Sequence, residues 1–168
     1  GFAVDLLRAA AEAMQMEVVY KTGPWNEIKE QLAAGEIDVL PLVGRSPERE
    51  EVFDFTFPYH TMHGAIFVRK ENNVIKTIED LKESEIIVMR GDNAHEYVKR
   101  TGVSTHIYPV PTYTEAFRLL TAGEHDAVVA QKVMGLHLLS QLEIDNVKFL
   151  DIELSRFNQD FSFAVREG

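Results

Sequence analysis

One short pattern occurs twice in this chain, and it narrows the architectures open to it. Residues 33–38 read Ala-Ala-Gly-Glu-Ile-Asp and residues 121–126 read Thr-Ala-Gly-Glu-His-Asp. Each copy ends an amphipathic stretch with a leucine near its close (Leu32, Leu120), and each precedes an apolar run. The glycine supplies the left-handed residue that closes a helix, so the pattern is a helix–Gly–strand joint. Such joints recur in any α/β protein. Here the same one ends an equivalent unit in each half, which points to two similar α/β lobes.

Hydrophobic periodicity fills in the rest. Val4, Leu7, Ala11 and Met14 place a helix over residues 3–15, and residues 17–21 read as a short strand. After the turn at Gly23-Pro24, a second helix covers 25–34 and is closed by Gly35. Residues 37–43 are nearly all apolar, as in a strand covered on both faces of a parallel sheet. In the second half Thr77, with Asp80 three residues on, starts a short helix in a pattern like a capping box. A buried strand at 86–89 and a helix at 94–100 follow. Thr112 and Glu115 cap a helix through Ala122, a strand follows at 127–130, and residues 131–142 form a helix with Val133, Leu136 and Leu139 on one face. Phe161, Phe163 and Val165 alternate with Ser162, Ala164 and Arg166 in a last strand. Strands alternating with helices of about ten residues define the fold class, α/β. In open sheets of this kind ligands bind beyond the carboxyl ends of the strands, so two facing lobes imply a cleft.

Composition excludes several functions. The net charge of −10 is spread along 168 residues and argues against a nucleic-acid partner. With no cysteine there are no disulfides, thiolate metal sites or thiol nucleophiles. The six histidines lack metal-ligand spacing, so no metal is expected. No phosphate loop, hydride-cofactor glycine motif or Gly-x-Ser-x-Gly elbow occurs, so neither cofactor nor catalytic residue is expected. No run reaches the about 20 apolar residues that span a bilayer. The chain opens at Gly1 and stops at Gly168 just after a strand-like run, and both ends read as cut, with any membrane segments outside this chain.

Two strand-to-helix turns carry the candidate binding residues. In Gly44-Arg45-Ser46-Pro47-Glu48-Arg49, Ser46 is an N-cap and Pro47 the first helical residue, an arrangement that attracts an anion. Arg49 adds a guanidinium fork suited to a carboxylate. The alternative for Arg49 is a surface ion pair with Glu50 or Glu51. In the second half Arg90-Gly91-Asp92-Asn93-Ala94 is an equivalent turn, with Arg90 as a second contact. Its Arg-Gly-Asp triplet sits in a βα turn and is a coincidental match to adhesion motifs. Trp25 either stacks on a ligand or covers a core edge. Tyr59 and His60 lie after Phe57-Pro58 as candidates for the rim.

The order Gly1-Phe2-x-Val4-Asp5-Leu6, Trp25, Leu-x-x-Gly-x-Ile-Asp, Ser46-Pro47-Glu48-Arg49, Phe53-Asp54-Phe55-Thr56 and Pro58-Tyr59 resembles the first lobe of family 3 periplasmic solute-binding proteins. Ile78-x-Asp80-Leu81, Arg90-Gly91, residues 116–126 and 161–168 resemble the second lobe and return strand. Val88-Met89-Arg90-Gly91-Asp92-x-Ala94-His95-Glu96-Tyr97, with Lys132-Val133-x-Gly135-Leu136, is similar to the sensor domains of membrane histidine kinases and diguanylate cyclases. The resemblance implies the type II periplasmic-binding-protein fold, with two Rossmann-like lobes joined by crossovers near residues 66–69 and 162–165. Lobe 1 would comprise 1–67 and 164–168, lobe 2 residues 68–163. It implies that Trp25 stacks on the ligand, that Arg49 grips a carboxylate, and that Arg90 through Ala94 supply second-lobe contacts. One departure stands out. Where amino-acid-binding members carry an acidic residue for the α-ammonium, this chain has Gln131, a neutral amide.

The expected function is therefore a periplasmic sensor module for a small, carboxylate-bearing solute. It would bind no nucleic acid, reach the membrane through outside segments, and form a dimer as a receptor. The competing readings are a free binding protein of an amino-acid-type ABC transporter, and an enzyme such as a cyclohexadienyl dehydratase or lytic transglycosylase on the same fold. Fold alone does not decide among them.

Overall fold

The computed structural model describes residues 1–150, 152 and 158–168. The chain divides into two compact units, one formed by Gly1–His60 with Asp160–Gly168, the other by Thr61–Gln159. The passages between them fall at residues 60/61 and 159/160, earlier in the chain than the 67/68 and 163/164 read from sequence. The packing accounts for the difference. Ile66 and Val68 are buried with the second unit's strands, whereas Phe161 and Ala164 pair with strands of the first.

In the first unit α1 (Phe2–Ala13) and α2 (Trp25–Ala34) precede β1 (Leu40–Gly44). The four-residue α3 (Pro47–Glu50) and β2 (Phe53–Phe55) follow. The carboxyl-terminal strand β8 (Asn158–Arg166) lies between β1 and β2 and pairs antiparallel with both, Ala164 opposing Leu40 on one side and Phe55 on the other. Ile28 and Leu32 of α2 pack with Leu40, Val43, Phe53 and Ala164 to form the core.

The second unit holds β3 (His60–Arg69, from its second residue), β4 (Glu85–Met89), α4 (Asn93–Thr101), β5 (His106–Val110), α5 (Tyr113–Ala122), β6 (Ala127–Gln131), α6 (Lys132–Gln141) and β7 (Val147–Leu150). β4 pairs parallel with β5 and β6, and β3 pairs antiparallel with β6 and β7, giving the order β5-β4-β6-β3-β7. Side chains alternate across this sheet with a period of two. Ile66, Val68, Ile86, Val88, Ala127 and Val129 face Ala94, Tyr97 and Val98 of α4. Ala65, Phe67, Ile87, Val128 and Ala130 face α5 and α6. The sheet is thus sealed on both sides, as its apolar runs require.

Capping residues set the helix ends. Thr112 Oγ1 accepts from the Glu115 amide at 3.2 Å, and α5 closes on Gly123 at φ 85°. α2 closes on Gly35 at φ 74°, so both copies of the repeated pattern are left-handed helix stops. The Thr77/Asp80 signal gives only a 3₁₀ turn, Glu79–Leu81, whose Asp80 carboxylate accepts from the Lys76 and Thr77 amides at 2.9 Å each.

Three expectations need correction. Residues 17–21 form no strand: they find no ladder partner among the described residues, and Val19 is 87% exposed. β1 begins at Leu40 and is antiparallel, with Leu42 partly in solvent, so residues 37–43 are not a doubly covered parallel strand. On α6, Val133 and Leu136 are exposed, and the buried residues are Gly135 and Leu139. The last strand read from the alternation is present as β8, with Phe161, Ser162 and Ala164 buried and Val165 exposed.

Gly135 lies against Phe67, whose ring packs edge-on to Phe117 with centroids 5.1 Å apart. A Cβ at residue 135 would meet Phe67 Cζ at 2.3 Å. Gly135→Ala should therefore destabilise the fold by about 1–3 kcal/mol, through overpacking, in urea unfolding monitored by circular dichroism. At the amino ends of the strands Glu85 accepts from Tyr108 Oη at 3.0 Å and contacts His125 Nδ1 at 3.0 Å. The His125 hydrogen bond, then that of Tyr108, lowers the Glu85 pKa. Its contribution is then present above the ordinary glutamate range and is lost as pH falls through the lowered value. A carbon-detected NMR titration should place Glu85 below the usual range, and His125→Ala should move it back up.

Candidate functional site

In the first unit the carboxyl end of β1 turns into α3 and gathers four of the expected residues. Ser46 caps the turn, its Oγ accepting from the Arg49 amide at 3.3 Å while its carbonyl accepts from the same amide at 3.1 Å. That cap turns Arg49 inward. The residue is only 3% exposed, and its Nη1 donates to the Gly44 carbonyl at 3.0 Å. The guanidinium carbon lies 5.3 Å from the Trp25 ring centroid, so the start of α2 provides an aromatic face for the charge. Trp25, Gly44, Ser46 and Arg49 thus form one constellation. The surface ion pair considered for Arg49 belongs instead to Arg45, whose Nη2 lies 2.6 Å from Glu50 Oε1, with its Nε at 2.9 Å. Arg45 also lies over Phe55. Tyr59 donates its hydroxyl to the Pro41 carbonyl and packs between Phe2 and Phe163, and burial raises its pKa. Arg45 and Tyr59 brace this unit's own loops.

In the second unit the turn after β4 holds the other cluster. Asp92 is the N-cap of α4, its Oδ2 accepting from the Ala94 amide at 3.3 Å and from Tyr113 Oη at 2.6 Å. The Gly91 amide is received by His95 Nδ1 at 3.2 Å. Two of the donors expected to attract an anion, the Gly91 and Ala94 amides, are thus engaged by the chain itself. Arg90 is exposed and donates from Nη2 to the Pro109 carbonyl at 3.2 Å. Asn93 is 4% exposed, and its Oδ1 has no hydrogen-bond partner among the described residues. Gln131, last residue of β6, donates to Gln159 Oε1 at 2.7 Å. Neither Tyr113 nor Gln159 was singled out from sequence. Tyr113 follows a recognised cap, but nothing local marks Gln159, which lies far along the chain from Gln131. No group of three or more His, Asp or Glu side chains among the described residues is arranged to hold a metal ion.

Comparison with known proteins places the chain in a family. The profile of the bacterial extracellular solute-binding proteins, family 3, matches residues 1–95. The chain belongs to this family. It is 27% identical to the amino-acid-binding protein AabA of Dichelobacter nodosus, over 100% of this chain and 67% of AabA. A histidine kinase sensor domain with similarity to periplasmic binding proteins superposes with TM-score 0.91 at 33% identity, covering 100% of this chain and 73% of that one. An ancestral arginine-binding protein bound to glutamine gives TM-score 0.86 at 31% identity, covering 100% and 74%. The fold is thus the α/β fold of type II periplasmic binding proteins, as the sequence pattern implied. As a member of family 3 this chain is a solute-binding domain. The chain spans about two thirds or less of the length of the curated relatives it matches. Among the described residues no helix is long and apolar enough to cross a membrane.

The Ser46 cap is the local device that turns Arg49 inward. Ser46→Ala should cost about 1 kcal/mol in chemical unfolding, the usual loss for a deleted N-cap. It should also shift the emission of Trp25, the sole tryptophan, as the guanidinium above it loosens.

Proposed function

We propose that this chain is the extracytoplasmic, small-molecule-binding sensor domain of a transmembrane signalling protein, a histidine kinase or diguanylate cyclase, in the periplasm. Its solute is small and bears a carboxylate. The observation that carries the reading is the buried Arg49 guanidinium, held between the Gly44 carbonyl and the Trp25 face. A planar guanidinium buried and held in this way has little orientation left to lose on meeting a carboxylate. Trp25, Gly44, Ser46 and Arg49 form the first unit's contact set, with Arg45 and Tyr59 acting through the loops they brace. In the second unit the contacts are Arg90, Gly91, Asp92, Asn93, Ala94 and Gln131. Likeness over the whole chain to a histidine kinase sensor domain supports the signalling role. Transmission requires the solute to bind the signalling state more tightly than the resting one.

Likeness to AabA favours a second reading, a free solute-binding component of an amino-acid-type ABC transporter. Fractionation of cells expressing the full-length protein separates the two. Retention with the inner membrane supports the sensor, and release by osmotic shock supports the transporter component.

The solute itself is found by thermal shift against organic acids, amino acids and polyamines, since a ligand of the folded state raises the melting temperature. The expected hits carry a carboxylate and perturb Trp25 fluorescence. Arg49→Lys should weaken them at least about tenfold, equivalent to about 1.4 kcal/mol. Hits confined to polyamines, or unchanged affinity in Arg49→Lys, would overturn the assignment.

A further inference from the structure

We infer that the outer side of α6 is the surface on which two copies of this chain meet, across a twofold axis. The inference rests on the sensor reading above and specifies the partner of that sensor. α6 is apolar on two opposite sides. Its inner side sets Gly135 and Leu139, flanked by Met134 and Leu138, into the core beside Phe67. Its outer side carries Val133, Leu136, His137 and Ser140, all exposed, at the i, i+3, i+4, i+7 spacing of one helix face. Val133 is 69% exposed and Leu136 40%. A helix that is apolar all round is ordinarily covered all round, so this stripe calls for an occupant.

Charge selects which one. The chain holds 27 acidic residues and has a net charge of −10, so two copies repel each other over most of their surface. The other five α-helices each carry at least one Asp or Glu, whereas α6 carries none. Its one cation, Lys132, is drawn onto the Phe149 ring, with Nζ 4.1 Å from the centroid. The outer stripe is therefore free of formal charge. An anionic membrane or an acidic partner would be held by basic residues here, and a basic partner by acidic ones. The stripe offers neither. A second copy needs neither, because a twofold contact sets one surface against itself. In an antiparallel pairing centred between Leu136 and His137, these two residues meet their counterparts at the axis, and Val133 lies opposite Ser140 of the partner subunit. One face of a ten-residue helix falls short of the roughly 1,200 Å² that stable complexes bury. The contact is thus weak between free chains and effective between copies held in one membrane, where the local concentration is high.

The chain has no cysteine, which makes disulfide cross-linking a direct test. It is done on the full-length protein in its native membrane, with no cysteine other than the one introduced. Leu136→Cys should be oxidised by copper phenanthroline to a homodimer at least about tenfold faster than Arg8→Cys, an exposed position on α1. Adding His137→Glu, which brings two carboxylates together at the axis, should slow that reaction about tenfold. Equal rates at the two positions, or no slowing by His137→Glu, would overturn the inference. So would a product of any other mass, which reveals a different partner. If Leu136→Cys resists both the oxidant and a water-soluble maleimide, another segment of the same polypeptide covers α6, and the inference falls. In each of these cases the sensor reading stands as long as the protein stays with the inner membrane. Release by osmotic shock overturns that reading and the inference with it.

Discussion

The structure of the second unit follows from burying both faces of β4 and β6. Ile86 and Val88 point to one side and Ile87 to the other, as do Ala127 and Val129 against Val128 and Ala130, and all are sealed from solvent. A sheet apolar on both sides needs helices on both sides. With parallel strands each connection must cross a face, so α4 covers one side and α5 with α6 the other. The divergence of the chain at the carboxyl ends of β4 and β6 is then unavoidable. The candidate site of this unit is a by-product of how its core is closed.

The repeated Ala-Gly-Glu-x-Asp pattern has a three-dimensional counterpart that the sequence does not display. Gly123 is flanked by Arg69, last residue of β3, whose Nη1 donates to the Leu120 carbonyl at 3.0 Å and to the His125 carbonyl at 2.6 Å. Gly35 is flanked in the same way by Arg166, last residue of β8, whose Nη1 lies 2.9 Å from where a Cβ would stand. In each unit a long antiparallel strand ends in an arginine placed against the helix–Gly–strand joint. In the second unit that arginine satisfies carbonyls that the helix end leaves over. Similar joints therefore reflect similar local construction, with a distant strand completing each one.

Local signals were legible and non-local ones were not. Ser46, Thr112, Gly35 and Gly123 act within one turn, so the helix boundaries they set were readable. β5 and β7 went unrecognised. His106–Val110 contains a proline and alternates only weakly, and Val147–Leu150 is a short edge strand whose role depends on β3. Residues 17–21 show the converse: β-prone side chains make no strand without a partner. On α6 the apolar spacing of Val133 and Leu136 misled because Gly135, with no side chain, makes the close contact with Phe67. At the candidate site, the sequence reading singled out both arginine-bearing turns. It did not distinguish the arginine paired with Glu50 from the one carried inward by the Ser46 cap. That distinction depends on a four-residue helix whose first turn rotates Arg49 toward Trp25.

The two turns look alike in sequence, each a β-strand leading to a capped helix, yet their chemistry is opposite. In the first unit the cap is a neutral hydroxyl and the charged group is a guanidinium stacked on an indole. In the second the cap is itself a carboxylate, and its nearest buried neighbour in sequence is an amide oxygen without a donor. A serine cap satisfies the helix start without adding charge, whereas an aspartate cap fills it with a negative one. The same strand-to-capped-helix motif thus carries a neutral cap in one unit and a charged one in the other. The polarity of each turn has to be read from what its cap already satisfies, because the helix dipole favours an anion at both.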